Sequence, residues 1–161
     1  MRKAYLAFMV IFLTMFFHVK DGISSISAID NIKNIKIVVD FNVSAPDMIL
    51  LRLGLLEKTL IDIENAKKSF DVVVAIRGGA VDYMTKTDKY IKSEYSEAKS
   101  KVKKMILILK KMGVRFELCS IAAGLRGVDI SDILDEIQVV KNGYFSIVGY
   151  QNKGYAFLPM D

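Results

Sequence analysis

The chain has 161 residues but only one cysteine, Cys119, and one histidine, His18. A lone cysteine excludes an intramolecular disulfide and any cysteine-rich zinc site. Because the histidine falls within the first twenty residues, the rest of the chain has no Ser-His-Asp or Cys-His pair and no histidine-based metal site. Proline occurs twice, at Pro46 and Pro159, so no proline-rich linker divides the chain. Internal repeats, low-complexity stretches and runs of five like charges are all missing. So are the G-x-x-x-x-G-K-[ST] and G-x-G-x-x-G phosphate loops. One ordinary folded domain is the economical organisation.

What is present starts with an apolar, weakly basic composition: 52% hydrophobic residues and a formal charge of +5. Residues 1–28 carry net +2 from Arg2, Lys3 and Lys20 against Asp21. The remaining basic residues are scattered. Lys99, Lys101, Lys103 and Lys104 interleave with a helical apolar stripe and read as a solvated helix face. Without an aromatic-rich basic platform beside them, nucleic acid is not an expected partner.

Arg2 and Lys3 precede the apolar run Ala4 to Phe17. As a helix this run spans about 21 Å, short of the roughly 30 Å hydrocarbon core. A positive start, a short apolar stretch and small residues at Ser25, Ser27 and Ala28 form the layout of a secretory signal peptide. The alternative is an uncleaved anchor, tilted in the membrane. The expected division is a signal or anchor over 1–28 and a folded domain over 29–161. Export to the periplasm or cell exterior follows, with the membrane touched only through the N-terminal segment.

Beyond it, two β-branched runs read as buried parallel strands, 35–41 (IKIVVDF) and 71–77 (DVVVAIR). Between them Ser44 is placed to cap a helix, with Pro46 and Asp47 in its first turn. Ile49, Leu53, Leu56, Leu60 and Ile63 give that helix one apolar face. Gly78-Gly79 ends the second strand in a tight turn. A second helix, capped by Ser93, carries the stripe Tyr95, Ala98, Val102, Met105, Leu109 and Met112 and stops at Gly113. Strands at 114–119, 137–141 and 155–158 follow, with short helical pieces near 120–125 and 131–134 and a helix from Asn142-Gly143 to Gln151. This alternation predicts a three-layer α/β domain of flavodoxin-like type, a mostly parallel sheet with helices on both faces.

In open α/β sheets, ligands collect at the carboxyl ends of the strands. Asn42, Gly78-Gly79 and Cys119 fall at such ends, the first three as a candidate ligand pocket. Cys119 ends its strand at the start of a helical piece, a position that favours an ionised thiol. Arg126 is the nearest cation in sequence and could support it. Glu117 shares the strand face of Cys119. The other reading of Cys119 is an inert buried residue, since free cysteine is among the most buried types.

Four stretches together resemble the DsrE/DsrF-like family of sulfur-relay proteins. They are KIVVDFN ending at Asn42, VVVAIRGGAVDYM through Gly78-Gly79, GVRFELCSIAAGLRGVDISDIL around Cys119 and Arg126-Gly127, and the tail IQVVKNGYFSIVGYQNKGYAFL. Between Cys119 and Arg126 this chain has Ser-Ile-Ala-Ala-Gly-Leu where the family has a more polar stretch. The resemblance implies a flavodoxin-like domain, assembly into homotrimers or hexamers, and a cysteine that carries sulfur as a persulfide, here Cys119. It implies a sulfurtransferase-like carrier with protein donors and acceptors of sulfur, needing no cofactor and no metal. The competing function is a non-catalytic oligomeric binding or scaffold protein with Cys119 as a packing residue.

Overall fold

Among the described residues five strands, all parallel, make one sheet: β1 (Asn34–Phe41), β2 (Ser69–Ile76), β3 (Arg115–Cys119), β4 (Gln138–Val140) and β5 (Ala156–Met160). Their order across the sheet is β4-β3-β2-β1-β5. The chain steps outward one strand at a time from β1 to β4, then crosses back to pair β5 with β1. Helices α1 (Pro46–Asn65), α2 (Ser96–Lys111), α3 (Ser120–Leu125) and α4 (Gly143–Asn152) make the crossovers. Because parallel crossovers share one hand, the reversal after β4 sends α4 to the face opposite α1 and α2. The expected flavodoxin-like three-layer architecture is what the chain adopts.

The computed structural model describes residues 27–161. The apolar segment of the expected signal or anchor, with Phe8, Phe12 and Phe16, lies outside them. Ser27–Ile29 is a single 3-10 turn, and Lys33–Asp161 is a compact unit. Among the described residues no helix is long and apolar enough to cross a membrane.

The α1/α2 face holds the main core. Ile37, Val39 and Phe41 of β1, Val72, Val74 and Ile76 of β2, and Phe116 and Leu118 of β3 point into it, as period-two alternation requires. Helix α1 buries Ile49, Leu53, Leu56, Leu60 and Ile63, the stripe read from its spacing. Helix α2 buries Val102 and Leu109 of the expected stripe but adds Lys99 and Ile106, with Tyr95 and Met105 only half-buried at its flank. Lys99 is therefore not on a solvated face. Its ammonium donates to Thr85 Oγ1 at 2.7 Å and to the Thr87 carbonyl, and pairs with Asp88 Oδ1 at 3.3 Å. Three acceptors satisfy three N–H donors, which is why the charge tolerates burial.

The caps also differ. Ala45 rather than Ser44 is the N-cap of α1, without a side-chain bond, and Ser93 opens a 3-10 turn without capping α2. The Ser44 side chain instead packs on Gly79. The last strand runs through Pro159 to Met160. It is an edge strand, where proline removes no needed ladder donor.

On the opposite face α4 packs over β1, β2 and β3 with a small apolar nucleus of Val38, Ala75 and Ile147. The rest of that layer is polar and aromatic. Tyr150 and Tyr155 meet edge to face at 4.9 Å. Tyr150 Oη donates to Glu117 at 2.7 Å, Tyr155 Oη to Asp71 at 2.6 Å, and Arg115 pairs with Asp71 at 2.9 Å.

Candidate functional site

The carboxyl ends of β1 and β2 open into a pocket of about 310 Å³. Asn42 follows β1, while Arg77, Gly78 and Gly79 follow β2. Ile121 and Leu125 from α3 and Tyr144 from α4 form the walls. Gly78 has φ +56°, a left-handed backbone that favours glycine. A Cβ there would also collide with the Asn42 carboxamide oxygen. The diglycine thus lets the β2 exit lie directly against the β1 exit, and one pocket forms across the two strands.

Two arginines frame the pocket, each held by a carboxylate. Arg77 donates from Nε and Nη2 to the two oxygens of Asp40 at 2.8 and 2.6 Å, and its guanidinium lies 4.2 Å from the centre of the Tyr144 ring. Arg126 makes the same two-pronged contact with Asp82. Both guanidiniums hold their protons more tightly than an ordinary arginine, chiefly through these hydrogen bonds. Asp82 is buried at 7% exposure. It is positioned by the 3-10 turn Gly78–Tyr83 and by the following loop, which Lys99 ties down through Thr85 and Thr87.

Cys119 is one layer below. It ends β3, precedes α3 and is 3% exposed. Its side chain belongs to the main apolar cluster, and Gly143, the first residue of α4, lies against it. A Cβ at Gly143 would lie 3.0 Å from Cys119 Cβ and 3.2 Å from Arg77 Cγ and Cδ. Asn142 fixes that helix start by accepting from the Tyr144 N–H at 3.0 Å. Ser120 Oγ, donating to the Lys141 carbonyl at 3.1 Å, ties the two helix starts together.

A family profile described as the DsrE/DsrF-like family matches residues 50–160, from α1 to the last strand. The chain belongs to the DsrE/DsrF-like family. An uncharacterized protein of Aquifex aeolicus (strain VF5) is 29% identical over 126 residues, 78% of this chain and 56% of that protein. This chain therefore spans little more than half of that relative's length. Among solved structures, a protein of unknown function from Methanobacterium thermoautotrophicum superposes with TM-score 0.60 at 25% identity, covering 78% of this chain and 98% of the other. The ychN protein of E. coli superposes with TM-score 0.51 at 15% identity over the same shares, a likeness of fold.

Within this DsrE/DsrF-like domain the structure gathers Asn42, Gly78, Gly79 and Arg126 around one pocket. Cys119 is set behind it, not on its lining. Arg126 follows α3 and turns to Asp82, while the Arg77 stem and Cys119 both lie against Gly143. The sequence does not mark Arg77, Asp40, Asp82 or Tyr144 as pocket residues. Their signal was partly present: Asp40 and Arg77 each sit at the end of a hydrophobic strand, where an isolated charge needs a partner. Tyr144 carried no such mark. Glu117, on the strand face of Cys119, is buried and engaged by Tyr150. Among the described residues no group of three or more His, Cys, Asp or Glu side chains is arranged to hold a metal ion.

Proposed function

We propose that the chain is an exported sulfur carrier in which Cys119 accepts a sulfane sulfur as a persulfide and passes it on by thiol–persulfide exchange. The observation that carries this reading is the position of Cys119. It sits at the carboxyl end of an inner strand, one side-chain layer from a pocket framed by two arginines. A carrier thiol must be reached by its donor, and this one is 3% exposed with Gly143 lying against it. Loading therefore requires the first turn of α4 to lift. The slight apolar hold of α4 on the sheet, through Ile147 on Val38 and Ala75, supports such a movement.

Export through residues 1–28 and self-association belong to the same proposal. Tyr144, Phe145 and Val148 are 61%, 78% and 56% exposed on α4, an aromatic surface suited to a second copy of the chain. Light scattering of the exported protein at micromolar concentration should give a trimer or larger; a clean monomer removes self-association. Intact mass reports whether the first residues are cut.

A second reading is favoured by the 3% exposure of Cys119: a non-catalytic oligomeric binding or scaffold protein with the cysteine as packing. Polysulfide treatment followed by intact mass separates the two. The carrier gains sulfur mass at Cys119, and Cys119→Ser abolishes the gain with the fold kept. The packing residue gains nothing, and its serine variant loses about 1–3 kcal/mol from a buried hydroxyl without a partner.

A further inference from the structure

The pocket beside Cys119 has an unusual balance of charge and apolar surface. Its two guanidiniums are already matched: Arg77 with Asp40 at 11% and 18% side-chain exposure, Arg126 with Asp82 at 47% and 10%. The four ionised groups sum to zero. An entering dianion would lose its hydration without meeting uncompensated positive charge. A single charge can share the remaining N–H edges of the guanidiniums and the Asn42 amide. The opposing wall is hydrocarbon, with Ile121 at 50%, Leu125 at 84% and Tyr144 at 61% exposure. An apolar ligand group would cover these side chains. A dry cavity of about 150 Å³ holds benzene, so about 310 Å³ accommodates a ring of that size together with a compact polar head.

We propose that this pocket takes a singly charged organic sulfane-sulfur compound bearing an apolar substituent, of the thiosulfonate class R–SO₂–S⁻, in preference to an inorganic sulfur dianion. The transfer step rests on the sulfur-carrier reading; the binding preference does not. In that step the first turn of α4 lifts, and Cys119, its proton released to water, attacks the outer sulfur of R–SO₂–S⁻ through Sγ. The donor's S–S bond breaks, a new S–S bond forms to Sγ, and the sulfinate R–SO₂⁻ departs with the electron pair. Two negative charges enter and two leave, as cysteine persulfide and sulfinate, and no further oxidant or reductant is needed. The sulfinate group forms on the guanidinium side while its ring lies against Ile121 and Leu125, and the two leave together as one molecule.

The test uses calorimetric titration of the full-length Cys119→Ser protein, which binds without reacting, with benzenethiosulfonate and with thiosulfate. Benzenethiosulfonate is expected to bind roughly tenfold or more tightly, the effect of covering one ring's worth of apolar area. Adding Ile121→Ser and Leu125→Ser, both at exposed positions that leave the core intact, should remove the preference. Equal binding, tighter thiosulfate, no binding of either compound, or a preference untouched by the two serines would overturn the proposal. Wild-type protein incubated with benzenethiosulfonate or with thiosulfate and weighed intact completes the set. If the preference holds but no sulfur mass appears, the carrier reading fails and the ligand class stands. If sulfur is gained equally from both donors while binding shows no preference, the carrier stands and this inference falls.

Discussion

The two faces of the sheet are built on different principles. The α1/α2 face is a continuous apolar core in which Phe41, Leu53, Leu56, Ile106 and Leu118 are fully enclosed. The α4 face has an apolar nucleus of only Val38, Ala75 and Ile147. It is otherwise held by tyrosine hydroxyls on carboxylates and arginines over aromatic rings. Burial of hydrocarbon is the dominant favourable term, so the first face fixes the fold. The second contributes less and includes the helix start that lies against Cys119, whose side chain otherwise belongs to the main cluster. A site that must open is better placed under the weaker layer.

The sharpest challenge to that contrast is a pair of cavity substitutions. Leu56→Ala should cost about 3–5 kcal/mol, the range for a fully enclosed leucine whose surroundings cannot collapse. Ile147→Ala should cost about 2 kcal/mol, because α4 can settle onto a smaller neighbour. Equal losses in denaturant titrations would mean the α4 face is as firmly packed as the other. Next in size is Lys99→Ala, expected to cost about 2–3 kcal/mol by removing the charged donor that satisfies Thr85 and Thr87. It should also loosen the loop behind Asp82, seen as faster amide exchange over 84–92. Full stability in this variant would show that the buried ammonium is incidental.

These two cases also mark what the sequence made legible. The α1 stripe was readable residue by residue because its five core positions are all aliphatic and spaced for one face. The α2 stripe was legible only in part: Val102 and Leu109 are core, but Lys99 fills a core position too, and no periodicity rule places a lysine there. What makes that burial possible is the trio Thr85, Thr87 and Asp88, which lies in a loop and comes close only in the folded chain. The site divided in the same way. Strand ends located Asn42, Gly78, Gly79 and Cys119, because topology gives those positions a common edge. The partner of Arg126 was hidden, since Asp82 is 44 residues away along the chain and lies in a turn of no recognisable motif. That Cys119 sits under Gly143 depends on how α4 docks, and no local pattern encodes it.

A smaller effect probes the hinge between the faces. Gly143→Ala would press a methyl group onto Cys119 Cβ at 3.0 Å and the Arg77 stem at 3.2 Å. The neighbours must give, at about 1–2 kcal/mol. Because the displaced element is the first turn of α4, Cys119 should react faster with a thiol reagent at neutral pH. Gly124→Ala, where an added Cβ meets nothing within 4 Å, should stabilise slightly and leave the thiol rate unchanged. Unaltered labelling in Gly143→Ala would mean that this helix start does not guard the cysteine.

The smallest effect at neutral pH, and the most specific to the α4 face, belongs to Tyr150. Burial first, then its hydrogen bond to Glu117, pushes its phenol up to about 12. Glu117 and Arg115 face it from β3, Tyr155 meets it edge to face, and Lys153 lies 5.4 Å from its ring centre. Arg115 opposes the rise, but burial and the carboxylate prevail. An unfolded tyrosine ionises near pH 10, so the folded state holds this proton more tightly. Tyr150's contribution is present in full below pH 10 and is lost as pH climbs toward about 12. Tyr150→Phe should cost about 1 kcal/mol at pH 7, the net value of one hydrogen bond. It should also remove part of the alkaline decline in melting temperature, since the variant has no proton to release there. A wild-type melting temperature that stays flat from pH 9.5 to about 12, or a phenylalanine variant that declines as steeply as the wild type, would show that the hydroxyl network does not hold the α4 layer.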